Sequence, residues 1–250
     1  MRKIIGILGG MGPAATVYLF DLIVRLTRAD EDGDHIPVII FNNPQIPDRT
    51  AAIINNGPAP LPLLIEGARF LERSGADFII MPCITAHYFY TEIMKNIRIP
   101  FLNLLEETAL FIRRELPGLQ KLGLLATTGS LQTHIFQDYL DKEDKALVIP
   151  DPDHQARVMN AIYGKEGIKA GFIDQPKKVL LDVIARLVGK HGKGCECIIA
   201  GCTEIPLALT QEDIAIPLID PLKIIARRAI REAGCFPETN RKVNFKSTTT

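Results

Sequence analysis

The stretch Asp77-Phe-Ile-Ile-Met-Pro-Cys-Ile-Thr-Ala-His87 decides how this 250-residue chain is read. Residues 78–81 form an uninterrupted apolar run, and Pro82 and Cys83 follow at once, ahead of residues that can open a helix. A short apolar run closed in this way reads as a buried strand ending in a thiol. Cys197-Ile-Ile-Ala-Gly-Cys-Thr-Glu-Ile-Pro206 has the same layout, with 198–201 as the strand and Cys202 as the thiol at its end.

Working outward from Cys83, the preceding segment 61–74 reads as a helix closed by Gly75, and 85–94 as the helix that follows. Further back, 3–8 is an apolar run that stops at Gly9-Gly-Met-Gly-Pro13. A helix over 14–28 then shows periodicity through Val17, Leu19, Phe20, Ile23, Val24 and Leu26. Residues 37–41 read as a second strand, and the Asn- and Pro-rich segment up to Pro62, which contains Arg49, reads as a long functional loop. Beyond Cys83, 101–104 is a short strand and 106–116 a helix stopped by Pro117-Gly118.

At Lys121 the pattern begins again: an apolar strand, a turn rich in Gly and Thr, then a helix to Leu140. Gly6 and Gly123 are 117 residues apart, Cys83 and Cys202 are 119 apart, and Pro100 and Pro217 are 117 apart. Three landmarks at nearly one offset indicate an internal duplication. Each half then reads as four strands alternating with helices. The expected fold class is α/β, with two similar doubly wound parallel-sheet domains and a site in the cleft between them. The expected boundaries are 1–103 plus 208–235 for the first domain and 104–207 for the second, with 236–250 as a loosely ordered tail.

Composition excludes several function classes. Lys plus Arg equals Asp plus Glu at 29 each, so the chain as a whole offers no electrostatic footprint for nucleic acid or an anionic membrane. The run 4–8 is too short to span a bilayer. Five cysteines without a secretory segment suit reduced thiols in the cytoplasm. Gly10-Met-Gly-Pro-Ala-Ala15 fits a dinucleotide fingerprint formally, but Asn42 and Asn43 stand where the ribose-binding acid belongs. Its backbone N–H groups can still meet a carboxylate. Cys195, Cys197 and Cys202 lack a fourth ligand at usual spacing, so no metal is expected. His87, four residues after Cys83, either pairs with that thiol or sits on the helix it begins.

Two thiols at matched strand ends, each at a helix start where the dipole favours thiolate, suit one chemistry in particular. Racemisation removes a proton from one face of a carbon and delivers another to the opposite face, and the roles exchange in the reverse direction. Two equivalent acid/base groups across a cleft do this as a coupled pair, one thiolate and one thiol. Oriented donors must hold the developing charge, and the candidates are the backbone N–H groups after each cysteine and the hydroxyls of Thr85, Thr128 and Thr203. No lysine sits in a Schiff-base context, so pyridoxal phosphate is not called for and no cofactor is expected.

Together, Gly9-Gly-Met-Gly-Pro13, Ile46-Pro-Asp-Arg-Thr50, Met81-Pro-Cys-Ile-Thr-Ala-His87, Leu124-Leu-Ala-Thr-Thr-Gly129 and Gly201-Cys-Thr-Glu-Ile-Pro206 resemble the cofactor-independent aspartate/glutamate racemase family, most closely its aspartate racemase branch. The resemblance runs to about Cys235. It implies two similar α/β domains, commonly in a homodimer, acting on a small amino acid, aspartate or glutamate. It makes Cys83 and Cys202 the acid/base pair. Met11, Arg49, Ile84, Thr85, Thr128 and Lys165 become the substrate pocket, with Arg49 and Lys165 gripping an acidic substrate. Glu204 stands where glutamate racemases tend to have His. One departure is Ile84, which replaces the Asn that usually follows the first cysteine and cannot supply an amide hydrogen bond. The rival expectation is a homologue that binds a small dicarboxylate with altered or lost chemistry.

Overall fold

The computed structural model describes residues 2–140, 145–188 and 192–238. The elements run β1 (Ile5–Gly9), α1 (Pro13–Leu26), β2 (Val38–Asn42), α2 (Arg49–Ile54), α3 (Leu61–Arg73), β3 (Phe78–Ile80), α4 (Tyr90–Met94) and α5 (Leu104–Glu115). There follow β4 (Lys121–Ala126), α6 (Thr128–Gln132), α7 (Gln137–Leu140), β5 (Ala146–Val148), α8 (Pro152–Tyr163), α9 (Asp174–Leu187), β6 (Cys197–Gly201), α10 (Ile205–Ala208), β7 (Leu218–Ile219) and α11 (Pro221–Glu232).

Two parallel sheets carry this order. The first is β2-β1-β3, extended by a parallel bridge between Ile79 and Phe101; the second is β5-β4-β6-β7. With Phe101 in the place of β7, the two sheets have the same strand order. The correspondence reaches hydrogen bonds: Ile79 N donates to Pro100 O at 2.8 Å, and Ile198 N to Pro217 O at 2.9 Å. It continues into the next helix. The Asn103 side chain caps α5 by accepting from Leu105 N and Glu106 N, as Asp220 caps α11 from Leu222 N and Lys223 N. The fold is α/β with two similar parallel-sheet units whose central strands β1, β3, β4 and β6 are buried, apart from Lys121 at the start of β4.

The apolar interior falls into three clusters. One lines the outer face of the first sheet, one the outer face of the second, and the largest joins the halves, with Ile5, Ile7, Leu122 and Leu124 meeting Leu105, Ile112, Ile225 and Ile230. Helices α5 and α11 pack on each other in this shared cluster, and α11 also packs on α1. Tyr18 Oη on α1 donates to Asp220 Oδ2 at 2.8 Å and ties α11 in place. The segment 208–235, expected in the first unit, serves both: β7 lies in the second sheet, while α11 packs on α1 of the first.

Three other local expectations change. The loop before Pro62 contains α2, because Asp48 Oδ1 accepts from Ala51 N at 2.7 Å and nucleates a short helix between the Asn- and Pro-rich flanks. Of the periodic residues in α1, Leu19, Ile23 and Leu26 are buried while Val17, Phe20 and Val24 are exposed. The start of the expected tail is anchored, since Pro237 bridges to Thr27 and Glu238 N donates to Leu26 O at 2.7 Å. Residues 239–250 lie outside the described residues. Among the described residues, no helix is long and apolar enough to cross a membrane.

Candidate active site

The carboxyl ends of β1, β3, β4 and β6 converge, as parallel sheets require of their ligand sites. The β1–α1 turn is drawn close to the end of β2: at Gly10, where φ is +100°, a Cβ would stand 2.3 Å from Asn43 O. Between the halves lies a cavity of about 10 Å³, room for roughly one water molecule. Met11, Arg49, Cys83, Ile84, Thr85 and Thr127 line it, and so do Tyr163, Lys169, Cys202, Thr203 and Glu204. It adjoins an outer recess of about 310 Å³, and Met11, Arg49, Tyr163, Lys169 and Glu204 border both.

The structure therefore brings Cys83 and Cys202 to one cavity, both buried. Of the side chains expected around them, Met11, Arg49, Ile84, Thr85 and Thr203 also line it. Two expectations shift along the chain. Thr128 Oγ1 accepts from Gln155 Nε2 at 3.3 Å, and it is the preceding Thr127 that meets the cavity. Lys165 is exposed in the turn after α8, and the ammonium at the cavity belongs to Lys169, in a single turn of 3-10 helix at Ile168–Ala170. Both expectations come from the motif resemblance, which does not say which residue of a strand-to-helix junction or of a turn faces the cavity.

Around Cys83 the contacts come mostly from backbone. His87 does not pair with the sulfur: its Nδ1 lies 2.8 Å from Cys83 O, and its Nε2 accepts from Leu104 N at 3.2 Å. The second bond fixes the tautomer, so Nδ1 carries the proton and donates. Burial lowers the His87 pKa to about 4, against a smaller opposing effect of the bond to Cys83 O. Arg49 is 7% exposed; its Nη1 donates to Ile46 O and Pro47 O, and its Nη2 to Met11 O at 2.9 Å. Its Nε is buried without a hydrogen-bond partner. Burial opposes the Arg49 charge, but Cys83, Tyr163 and Asp48 outweigh it and hold the guanidinium protonated.

Around Cys202 the contacts are charged. Its Sγ donates to Glu204 Oε2 at 3.0 Å, and Glu204 is 2% exposed. The other oxygen, Oε1, accepts from Gly12 N at 2.9 Å and pairs with Lys169 Nζ. Burial, then the Glu204 charge, raise the Cys202 pKa well above the ordinary thiol value, with Lys169 pulling the other way. The expected thiolate-favouring helix dipole is overridden here: α10 has only four residues, while burial and the carboxylate act directly. Lys169 is kept charged by Glu204 and Cys202 despite its burial.

Side-chain bonds cross the cleft. Thr85 Oγ1 lies 3.0 Å from Thr127 Oγ1 and 2.9 Å from Ser130 Oγ, and those two are 3.0 Å from each other. Thr203 Oγ1 donates to Pro82 O at 3.1 Å, and Tyr163 Oη to Asp48 Oδ2 at 3.2 Å. The remaining cysteines stand apart: Cys195 and Cys197 lie in the second-unit and shared cores, and burial raises Cys197 to about 12.

A buried thiol pair thus lies between two like sheets, flanked by cations. The Asp/Glu/Hydantoin racemase family model matches residues 8–229. The chain belongs to that family. It is an isomerase of the racemase class. The broad specificity amino-acid racemase RacX of Bacillus subtilis (strain 168) is 29% identical over 233 residues, covering 90% of this chain and 96% of that protein. The structure of Picrophilus torridus aspartate racemase superposes with a TM-score of 0.82 at 31% identity, covering 94% of this chain and 96% of that one. An aspartate racemase homologue from Pyrococcus horikoshii OT3 gives a TM-score of 0.74 at 25% identity, covering 94% and 100%.

For this racemase-family site, the sequence reasoning missed Thr127, Tyr163, Lys169 and the place of Glu204 at the cavity. Glu204 had a signal: an acidic residue beside a thiol in an apolar run has to find a partner if buried. Tyr163 and Lys169 had none, since only the packing of α8 and of the 3-10 turn after it against the cleft places them.

Proposed function

We propose that this chain is a cofactor-independent amino-acid racemase that interconverts L- and D-aspartate, with glutamate second, by a two-base mechanism. Cys83 and Cys202 on one enclosed cavity carry this reading: one sulfur takes the α-proton while the other delivers a proton to the opposite face. Arg49 and Lys169 hold the substrate carboxylates, and the unpartnered Nε of Arg49 gives a donor still available for one. The developing carboxylate charge is met by these cations and by the hydroxyls of Thr85, Thr127 and Thr203. A one-water cavity is smaller than any amino acid. Substrate therefore enters from the outer recess with displacement of Tyr163 and Lys169, which border both spaces.

Ile84 favours a second reading. It is 2% exposed in the cavity wall and its side chain offers no hydrogen bond to a substrate carboxylate, which suits a site that accepts less polar amino acids or binds without turnover. The relative RacX is named for broad specificity. The enzyme on our reading acts in the cytoplasm as a homodimer, which light scattering of the purified protein tests.

Chiral chromatography of single enantiomers of aspartate, glutamate and neutral amino acids, incubated with reduced protein, tests the substrate. The expected result is fastest conversion of aspartate. Conversion confined to neutral amino acids would transfer the assignment to the altered-specificity reading. Thermal stabilisation by aspartate without conversion of any amino acid would leave a binding protein.

A further inference from the structure

The two thiols share a backbone frame, yet their carbonyls are held by different means. On the second side the main chain suffices: Ile205 N donates to Cys202 O at 3.0 Å. On the first side a side chain does it, with His87 Nδ1 donating to Cys83 O at 2.8 Å. The residue that matches His87 at the offset of the two cysteines is Pro206, which has no N–H and no side-chain donor. Cys83 lies between β3 and the 3-10 turn Thr85–Phe89, within neither, so no strand or helix fixes its dihedrals. His87 is itself fixed. Its Nε2 accepts from the N–H of Leu104, the first residue of α5, at 3.2 Å. Its ring lies nearly parallel to that of Tyr90, with centroids 6.2 Å apart, and the Tyr90 hydroxyl donates to Phe101 O at 2.8 Å. A buried imidazole needs partners for both nitrogens, and that need alone would suit a purely structural histidine. It does not account for the acceptor, which is the carbonyl of the one residue on this side whose sulfur serves the cavity.

We propose that His87 is the positioning residue for Cys83: it clamps that residue's carbonyl to the start of α5 and so sets the line along which the sulfur meets the substrate α-carbon. Rotation of the Cys83 peptide would swing Cα and carry Sγ with it. Transfer of a proton between carbon and sulfur does not tolerate such a swing, since a misplacement of about 1 Å costs on the order of 100-fold. His87 exchanges no proton with sulfur or substrate, because its N–H points at a carbonyl and its lone pair at Leu104 N. A planar ring bonded at both ends spans a fixed length, which a flexible side chain does not. The shared cluster holds both Leu104, at the far end of this brace, and Ile199 of β6, the strand that leads to Cys202. The brace therefore refers the first thiol to the same core that carries the second. This proposal rests on the two-thiol reading above and adds to it a side chain outside the cavity wall.

The test compares two amides at position 87 in the full-length protein. The amide nitrogen of Asn stands as many bonds from Cα as His Nδ1 and keeps the bond to Cys83 O, whereas that of Gln stands as far out as Nε2 and keeps the contact with Leu104 N instead. Racemisation of the substrate converted fastest is followed from each enantiomer, with hydrogen and with deuterium on the α-carbon. In His87→Gln kcat falls about 10- to 100-fold with a smaller change in KM, and His87→Asn recovers most of the loss. The isotope effect on kcat/KM in His87→Gln rises for the enantiomer whose α-proton Cys83 removes and falls for the other, because only the step at Cys83 is slowed. Loss of folded protein alone scales the rates and leaves both isotope effects at their wild-type values. Leu104→Pro keeps the test decisive if His87→Gln does not fold. Leu104 opens α5 behind an extended Asn103, where proline fits, and the change removes the N–H that holds Nε2. Its isotope effects move in the same two directions. A 13C label in the cysteine carbonyls, assigned through Cys83→Ala, reports the bond itself: the Cys83 signal shifts in His87→Gln and stays in place in His87→Asn. Isotope effects unchanged in both His87→Gln and Leu104→Pro, or a His87→Gln enzyme with wild-type kcat, overturn the proposal. A wild type that racemises no amino acid while its Cys83 carbonyl signal still follows His87 overturns the two-thiol reading instead.

Discussion

Cys83 and Cys202 end equivalent strands of a duplicated fold, yet their neighbours are of different kinds. Cys83 is held through its backbone, by His87 on its carbonyl and by its own N–H donating to Met81 O at 2.9 Å, with Arg49 as the nearby charge. Cys202 is held through its sulfur, by Glu204, with Lys169 behind. Duplication explains why two thiols meet across a cleft. It does not explain their surroundings, because strand order is a backbone property while proton affinity depends on the nearest few side chains. The two-base reaction proposed above needs two opposed groups, and the two sulfurs offered to it differ in their nearest charges.

The largest effect separates the sulfurs from everything that supports them. Cys83→Ala and Cys202→Ala each lower the racemisation rate by about 10² to 10⁴-fold, as expected for loss of a positioned acid or base, while urea midpoints change little by comparison. Equal losses sharpen the idea of an equivalent pair; a variant that retains near wild-type rate breaks it.

The next effect belongs to the Cys83 side alone. His87 is neutral and buried in the native state with a pKa of about 4, against 6.5 in the ordinary state. Below pH 6.5 the unfolded chain binds the proton first, so stability present above pH 6.5 is lost as pH falls toward 4. The loss is about 3 kcal/mol. Urea unfolding at pH 7.5 and pH 4.5 measures it, and in His87→Phe the difference between the two pH values shrinks by about that amount.

Arg49→Lys tests the guanidinium's several bonds. A lysine cannot satisfy Ile46 O, Pro47 O and Met11 O together, and it lacks the planar fork. We expect KM for aspartate to rise about 10-fold, with about 1–3 kcal/mol of stability lost for a buried acceptor left unpaired. Smallest of all is Lys165→Ala. Its exposed side chain predicts stability within about 0.5 kcal/mol of wild type and unchanged kinetics, whereas Lys169→Ala impairs turnover.

Much of this was legible beforehand. The apolar runs before Cys83 and Cys202, repeated at a near-constant offset, led to parallel sheets and to a cleft with both thiols on it. Arg49 was legible as a candidate cation. Its burial was not, because that depends on α2, a six-residue helix nucleated by one Asp48 side chain between flanks that read as loop. Lys169 and Tyr163 were out of reach for a similar reason. Tyr163 ends α8 and Lys169 sits in the 3-10 turn that follows, and which residue of a turn faces a cleft is decided by tertiary packing rather than by local preference. Glu204 was visible as a residue, but its bond to the sulfur was not, since adjacency in sequence does not say where a side chain points.

The most direct test is proton NMR of L-aspartate and of D-aspartate in D2O with wild-type, Cys83→Ala and Cys202→Ala protein under reducing conditions. Wild type is predicted to remove the α-proton signal from either enantiomer and to yield the other one, and each single variant to convert either at least about 100-fold more slowly. Conversion at near wild-type rate after the loss of one cysteine would contradict the two-thiol mechanism, and no exchange from either enantiomer with wild type would contradict the aspartate assignment itself.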